Sequence, residues 1–233
     1  FRAGFRPGGD FIHLPEGNSR INVKVKHGDE TEINGQGPVI TEEAINELFA
    51  KLDTLTKEDI LVLAGSIPNT LPEDIYEKIL ASLESKGIRV VVDATKDLLL
   101  NVLKYHPFLI KPNNHELGEM FGTVCKTDED IVHYAKKLQE KGAVNVLISM
   151  AGDGAILITE DGQNIKMGTP KGKVVNSVGA GDSMVAGFIT GYIRGGNYEE
   201  ALKSGTAAGS ATAFSEGLAS LEMYEKMLKQ ITE

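Results

Sequence analysis

The chain has 233 residues, of which 41% are hydrophobic and 24% charged, and its formal net charge is -9 at pH 7. This balance is typical of a soluble globular protein and does not favour nucleic acid or an anionic membrane as its main partner. The single cysteine, Cys125, excludes an internal disulfide and cysteine-based zinc sites, and no apolar run is long enough to span a bilayer, so we expect a cytoplasmic protein.

The first predicted elements form a small sheet. Residues 21–27 (INVKVKH) alternate apolar and polar side chains, which is typical of a half-exposed strand, and 31–34 is predicted to return beside it. The pattern then changes to a helix over 41–52, with Thr41 and the acids after it as the start signal. We therefore expect 18–38 to project from the main fold.

Strands and helices alternate from residue 59 to the end of the chain. The predicted strands are 59–65, 88–94, 108–113, 145–150, 155–160 and 164–167. The predicted helices are 72–87, 96–104, 116–121, 127–142, 181–194, 197–214 and 220–231. The alternation predicts an α/β fold with a mainly parallel sheet flanked by helices, in which the last two strands continue antiparallel. We expect residues 1–233 to form a single domain of this kind.

Four segments with chemistry-bearing residues follow strands or begin helices. They are AGSIP (64–68), KPNNHE (111–116), SMAGDG (149–154) and NSVGAGD (176–182). Ligands of open parallel sheets bind outside the carboxyl ends of the strands. We therefore expect these segments to lie near one edge of the sheet.

The segment from 176 to 188 (NSVGAGDSMVAGF) places an aspartate at the start of a helix. The first amides of a helix lack intrahelical partners, and without side chains at Gly179 and Gly181 an anion can approach them. One interpretation is that Asp182 only stabilises the helix start. The other is a catalytic base beside an anion-binding cradle, and these residues alone leave both open.

Three motifs in this order resemble the PfkB (ribokinase-like) family of carbohydrate kinases. They are KPNNHE, SMAGDGA and NSVGAGDSMVAGF, and the similarity runs from about residue 11 to the end. SRINVKVK and EINGQGP resemble most closely the 1-phosphofructokinase branch, with tagatose-6-phosphate kinases next. The resemblance implies transfer of the γ-phosphoryl group of ATP to fructose 1-phosphate, giving fructose 1,6-bisphosphate. Alternatives are a tagatose-6-phosphate kinase and a catalytically impaired, nucleotide-binding fragment of such a kinase.

The resemblance also assigns the residues of the reaction. Asp182 is implied as the general base that takes the proton of the attacking sugar hydroxyl. The amides of Gly179, Ala180 and Gly181 are implied to hold the charge that builds on the transferred phosphoryl group.

Asn113 and Glu116 are implied to organise Mg²⁺, largely through waters. Three residues apart at a helix start, they also fit a simple helix cap. Lys111 precedes them and is a candidate for contact with the ATP phosphates, although a lysine at a strand end is more often a solvated charge.

Ser149, Gly152 and Gly154 follow a strand where bare backbone lets a nucleotide come close, as the resemblance implies. Residues 152–154 also fit an ordinary hairpin turn. Ala208 lies in a face of small residues, where close helix packing is the plain interpretation and the family places the adenine nearby.

The resemblance implies a sugar-phosphate site at Arg20, whose planar donor fork suits a phosphate, with Ser66 and Asn34 as further contacts. In this family the projecting sheet acts as a lid and pairs with the lid of a second copy, so we expect a homodimer.

The family's opening units, with a substrate-binding aspartate and a glycine-rich motif, have no match here, so we expect a kinase chain that is incomplete at its N-terminus. A dehydrogenase is disfavoured, since no G-x-G-x-x-G follows a first strand.

Overall fold

The structure, a computed structural model, describes residues 9–27 and 29–232, without the side chains of 24–27, 29–32, 34 and 232. The chain divides into two compact units. The first comprises the residues up to Ile60 together with Ser66–Ile88, and the second comprises Leu61–Gly65 together with the chain from Arg89 onward.

The first unit contains the predicted hairpin. Strands β1 (Asn22–His27) and β2 (Asp29–Asn34) pair antiparallel, with Val23 opposite Ile33. Ile33 is 61% exposed, so part of the apolar surface of this two-stranded sheet faces solvent. The predicted strand pair is confirmed, and its apolar side chains are not all buried.

The described part of the same unit also has two α-helices, α1 (Glu42–Asp53) and α2 (Ile75–Leu83). Thr41 caps α1 by accepting a hydrogen bond from the amide of Ala44, as its position predicted. Helix α2 is shorter than the predicted 72–87, because the chain first makes a turn in which the amide of Ile75 donates to the carbonyl of Pro72. A 3₁₀ turn, Glu84–Lys86, follows the helix.

The second unit is built on a six-stranded mixed sheet. In chain order and in space, its strands are β3 (Ile60–Ala64), β4 (Arg89–Asp93), β5 (Leu109–Ile110), β6 (Asn145–Ser149), β7 (Ala155–Ile158) and β8 (Asn164–Met167). β4, β5 and β6 run parallel, and β7 and β8 continue antiparallel, as predicted. β5 is shorter than the predicted 108–113, because Pro112 has no amide with which to continue the ladder.

The described residues of the second unit also form six α-helices. They are α3 (Lys96–Val102), α4 (Asn114–Met120), α5 (Asp128–Glu140), α6 (Ala180–Gly195), α7 (Tyr198–Ala213) and α8 (Leu221–Thr232). α5 packs on β6 and β7, and α7 packs on β7 and β8. The fully buried side chains of Leu109, Ile110, Leu147 and Ile148 show that the central strands lie inside the core. The predicted α/β fold is confirmed.

Helices α6 and α7 approach each other at backbone distance. The contact is made by Gly187, Gly191, Gly205 and Gly209. A Cβ atom added at Gly187 would lie 2.6 Å from the carbonyl oxygen of Ser204, and one at Gly209 would lie 3.1 Å from that of Ala180. A Cβ does not fit at Gly187 without a shift of backbone, so the close contact with α7 depends on glycine and restricts the position of α6.

Among residues 9–27 and 29–232, none of the helices combines the length and the apolar composition that a bilayer crossing requires.

Candidate active site

The carboxyl ends of the parallel strands are joined in a row by backbone hydrogen bonds. The amide of Gly65, after β3, donates to the carbonyl of Asp93 at 3.1 Å, and the amide of Lys111, after β5, donates to that of Val92 at 3.2 Å. Further along, the amide of Ser149 donates to the carbonyl of Pro112 at 3.2 Å. The structure therefore brings KPNNHE and SMAGDG together with the end of β3, as predicted.

Lys111 links this row to the start of α6. Lys111 as a whole residue is only 6% exposed, and its Nζ lies 3.3 Å from Oδ1 of Asp93. A Cβ added at Gly181 would lie 3.3 Å from the same Nζ. The interpretation of Lys111 as a solvated strand-end charge is therefore wrong, because the neighbouring strand supplies a carboxylate that pairs with it in the interior.

Asp93 was not among the site residues predicted from the sequence. Burial raises the pKa of its carboxyl, the nearby Lys111 ammonium opposes that rise, and the charges of Asp182 and Glu116 add to it. Asp93, Lys111, Asp182 and Glu116 thus form a cluster in which the charge of each of the other three groups acts on the Asp93 carboxyl. When all are ionised, this cluster carries an excess of negative charge.

The start of α6 offers free amides. Gly179 precedes the helix with φ of 80°, a left-handed conformation that favours glycine, and no side chain caps the helix. The amide of Ala180 donates to the carbonyl of Ser177 at 3.2 Å, so it is already engaged. In the described part of the chain, the amides of Gly179, Gly181 and Asp182 make no hydrogen bond. The amide of Asp182 was not anticipated from the sequence.

The carboxylate of Asp182 lies in the first turn of α6 and is exposed. It caps no amide. Its charge adds to the rise in the pKa of Asp93, the last residue of β4. A carboxylate at this position is available to a ligand that approaches the free amides.

Asn113 and Glu116 form a reciprocal helix cap at the start of α4. The amide of Glu116 donates to Oδ1 of Asn113 and the amide of Asn113 donates to Oε2 of Glu116, both at 2.8 Å. The helix-cap interpretation is confirmed, and the metal role stays a prediction. Within residues 9–27 and 29–232, no group of three or more His, Cys, Asp or Glu side chains is arranged to hold a metal ion directly.

A 3₁₀ turn, Ala151–Asp153, connects β6 to β7 after Ser149. Gly154 has φ of 93°, and a Cβ there would collide with the carbonyl oxygen of Met167. Gly152, in contrast, has open space around it and accepts a hydrogen bond from Thr169 Oγ1 at 2.7 Å. The chain's own packing thus explains Gly154, while Gly152 leaves room for a ligand and its nucleotide role stays a prediction.

Ala208 is buried in α7 and contacts Gly187 of α6. The close-packing interpretation of this small-residue face is therefore confirmed. A contact between Ala208 and an adenine stays a prediction.

The three predicted sugar-phosphate contacts belong to the first unit. Arg20 is half-buried, with its Cβ 3.4 Å from the position that a Cβ on Gly37 would take. Ser66 is exposed directly after Gly65. The side chain of Asn34 lies outside the described residues. All three roles stay predictions.

A cavity of about 450 Å³ lies elsewhere in the second unit, where α5 ends and β6 begins. His106, Lys141 and Glu160 are among its lining residues. It is at the opposite end of β6 from Ser149, away from the buried lysine and the free amides. The residues that line this cavity therefore do not favour it over the cluster at the strand ends as the active site.

Known proteins that are similar to this chain are carbohydrate kinases. Residues 10–223 match the family model described as pfkB family carbohydrate kinase. A 1-phosphofructokinase of Bacillus subtilis is 51% identical over 216 residues, which are 93% of this chain and 71% of that protein. A D-tagatose-1-phosphate kinase of Bacillus licheniformis is 37% identical, over 95% of this chain and 73% of the relative. The structure of phosphofructokinase-2 from Escherichia coli, in complex with substrates and products, superposes with a TM-score of 0.82 at 25% identity, over 92% of this chain and 71% of that one. The chain therefore belongs to the pfkB family of carbohydrate kinases, which are ATP-dependent phosphotransferases.

Proposed function

We propose that this protein transfers the γ-phosphoryl group of ATP to the 6-hydroxyl of fructose 1-phosphate, giving fructose 1,6-bisphosphate. The observation that carries the proposal is the start of α6, where free amides, the Lys111 ammonium and the Asp182 carboxylate occupy one place. Phosphoryl transfer needs little more than this from a protein, because positioning and charge stabilisation supply most of its catalysis.

In this proposal Asp182 is the general base. Its exposed carboxylate accepts the proton of the sugar hydroxyl as that oxygen attacks phosphorus. The amides of Gly179 and Gly181, with that of Asp182, donate to the oxygens of the group in transfer. The amide of Ala180 is engaged in a turn, so its contribution requires that turn to open.

The Lys111 ammonium strengthens the same cradle. It is a fixed positive charge beside Gly181, and its buried stem limits the positions it can take. A charge-assisted hydrogen bond from such a group to a phosphate oxygen is roughly twice as strong as a neutral one. We therefore assign Lys111 to the phosphates of ATP, together with Ser149 and Gly152 at the neighbouring strand end.

The charge balance of the cluster fits Mg²⁺. The cluster around Asp93 holds three carboxyl groups and one ammonium, and its excess negative charge favours a hard cation with oxygen ligands. Asn113 and Glu116 would hold it, chiefly through waters, since their cap uses only part of their hydrogen-bonding capacity. When bound, the ion neutralises charge on the phosphates of ATP.

The nearest alternative substrate is a tagatose phosphate. The tagatose kinase among the relatives is named for the 1-phosphate, whereas the sequence motifs also resemble kinases for the 6-phosphate. Arg20, with Ser66 and Asn34, is our candidate for the phosphate already on the sugar. A preference for fructose 1-phosphate over tagatose 6-phosphate in competition would support this arrangement.

A second alternative is a nucleotide-binding chain with impaired catalysis. The relatives that it matches are longer, and the chain spans 71% of the Bacillus subtilis kinase. If the remaining part of that kinase carries essential sugar contacts, ATP will bind here without turnover.

We further propose that the lid, residues 18–38, forms a homodimer. Val23 is 46% exposed and Ile33 61% exposed, so the two-stranded sheet leaves apolar side chains that a second lid would cover. Light scattering on the purified chain tests this. A dimer that Ile33→Lys converts to a monomer supports it, and a monomeric parent chain contradicts it.

The test of the kinase function is product formation. The purified chain is incubated with Mg-ATP and fructose 1-phosphate, and fructose 1,6-bisphosphate is followed by mass spectrometry. Asp182→Asn is compared with Glu199→Gln, which neutralises another exposed acid in the first turn of a long helix. Loss of a general base typically costs about 10²- to 10⁴-fold in rate.

Product from the parent and from Glu199→Gln, with little from Asp182→Asn, supports the proposal. Equal rates in the parent and Asp182→Asn would exclude Asp182 as the base. ATP binding without product from the parent chain favours the impaired-fragment alternative.

A further inference from the structure

The backbones of Asp93 and Lys111 are held side by side at the ends of two neighbouring strands. Asp93 is the last residue of β4 and Lys111 directly follows β5, so each comes one residue after the paired residues Val92 and Ile110. Backbone hydrogen bonds hold both, from Gly65 to the carbonyl of Asp93 and from Lys111 to that of Val92. The backbones that carry the carboxylate and the ammonium are therefore fixed relative to each other, and the two charged groups meet across adjacent strands.

Stability alone does not account for this pair. A buried ion pair is seldom more stabilising than apolar residues of similar volume, because removing both charges from water is costly. Here the carboxyl carries a further cost, since Asp182 and Glu116 add negative potential to its burial. The pair also stands where the strand ends approach the first turn of α6, at Gly181.

The alternative positions of Lys111 show what Asp93 contributes. The cluster contains two other carboxylates, those of Asp182 and Glu116, to which a mobile ammonium would be drawn. Pairing with Asp182 would occupy the proposed base, and pairing with Glu116 would draw the ammonium toward the cap of α4. Asp93 holds the Nζ at 3.3 Å and keeps it beside Gly181.

We propose that Asp93 is a positioning residue: it holds the Lys111 ammonium against the first turn of α6, where that ammonium faces the phosphoryl group leaving ATP. Asp93 acts through Lys111 and touches neither substrate. The proposal rests on the proposed kinase function, because the position of Lys111 matters to the reaction only if phosphate binds at this cradle.

A double-mutant cycle tests this dependence. The parent chain, Asp93→Asn, Lys111→Met and the double variant are compared, with Asp53→Asn as a control that breaks an exposed ion pair with Lys86. The kcat and the KM for ATP are measured with fructose 1-phosphate. The Kd for ATP is measured by calorimetry in EDTA and in Mg²⁺, and the melting temperature is recorded for each chain.

Asp93→Asn is expected to lower kcat on the order of tenfold, the scale of coupling between contacting residues. It should do so with a smaller change in the KM for ATP. In the Lys111→Met background the same substitution should have no further effect on kcat or on the Kd for ATP. In EDTA, Asp93→Asn should shift the Kd for ATP only while Lys111 is present.

Equal effects of Asp93→Asn with and without Lys111 would overturn the proposal. A change in the Kd for ATP that Asp93→Asn causes only in Mg²⁺ would also overturn it, because Asp93 would then act on the metal. The same holds if Asp93→Asn lowers the melting temperature and changes neither kcat nor the Kd for ATP. If the parent chain makes no product, the kinase function fails, and the binding cycle in EDTA still decides the role of Asp93. A parent chain that binds no ATP in either buffer overturns both.

Discussion

Gly181→Ala adds one methyl group at the point where α6 faces Lys111. The new Cβ would lie 3.3 Å from Nζ and 3.6 Å from Cε of Lys111. The first distance is tighter than most real Cβ contacts, so the ammonium must move by a few tenths of an ångström. The backbone of Gly181 is not in the left-handed region, so alanine itself introduces no strain there.

The expected result is a loss of activity without a loss of stability. Alanine is favoured over glycine within a helix by up to about 1 kcal/mol, so the free energy of unfolding should stay equal or rise. If the Lys111 contact with the phosphoryl group is lost, a charge-assisted hydrogen bond of about 1.5–3 kcal/mol disappears, which corresponds to about 10- to 150-fold in kcat. Steady-state kinetics and urea unfolding on the same preparations measure both quantities.

The matched control is Ala186→Gly, at an exposed position of α6. It changes helix propensity in the opposite direction and should cost about 1 kcal/mol in unfolding free energy, with kcat unchanged. Parent-like kcat in Gly181→Ala would refute the reasoning, because a displaced ammonium would then be irrelevant to transfer. A loss of activity that tracks a loss of stability in both variants would refute it equally.

Three further substitutions test the fold and its electrostatics. Gly154→Ala should lower the urea midpoint strongly, because its φ of 93° and the collision with the carbonyl of Met167 act together. Thr206→Val should be neutral or stabilising by about 1 kcal/mol in thermal unfolding, because the buried hydroxyl of Thr206 has no hydrogen-bond partner in the described part of the chain. Asp130→Ala should cost stability at neutral pH, because the amides of Lys126 and Thr127 lower the pKa of Asp130. That cost should shrink as the pH falls through the lowered pKa, since a protonated Asp130 no longer stabilises the fold.

Each of these has a contrary outcome. A parent-like midpoint for Gly154→Ala would mean that the connection between β6 and β7 can rearrange freely. A large destabilisation by Thr206→Val would mean that the hydroxyl has a partner, such as an ordered water. If the stability difference between the parent and Asp130→Ala stays constant from neutral to acid pH, the contribution of Asp130 to the cap of α5 does not depend on its negative charge.

The sequence predicted the features that depend on local pattern. Alternation identified the hairpin, strand length and order identified the sheet, and two glycines before an aspartate identified the start of α6. The helix caps at Thr41 and Asn113 were also readable, because a cap depends on residues three apart.

Features that depend on neighbours distant in the chain were not predicted. Asp93 follows three valines, a pattern that indicates only the end of a buried strand. The pairing of β4 with β5 is what places Lys111 beside it. An acid and a lysine at the ends of consecutive parallel strands could have been a signal. The engagement of the Ala180 amide depends on the fold of the loop before α6, which residue type alone does not determine.

The backbone contact between α6 and α7 has a consequence for maps of mutational tolerance. Each glycine in that contact holds the two helices at one separation, and α6 begins with the amides of the proposed cradle. Saturation mutagenesis scored by growth on a required sugar would then show Gly187, Gly205 and Gly209 as intolerant as Asp182. Such a map shows which positions tolerate no substitution. It would not distinguish residues that contact the substrate from glycines that set the distance between α6 and α7.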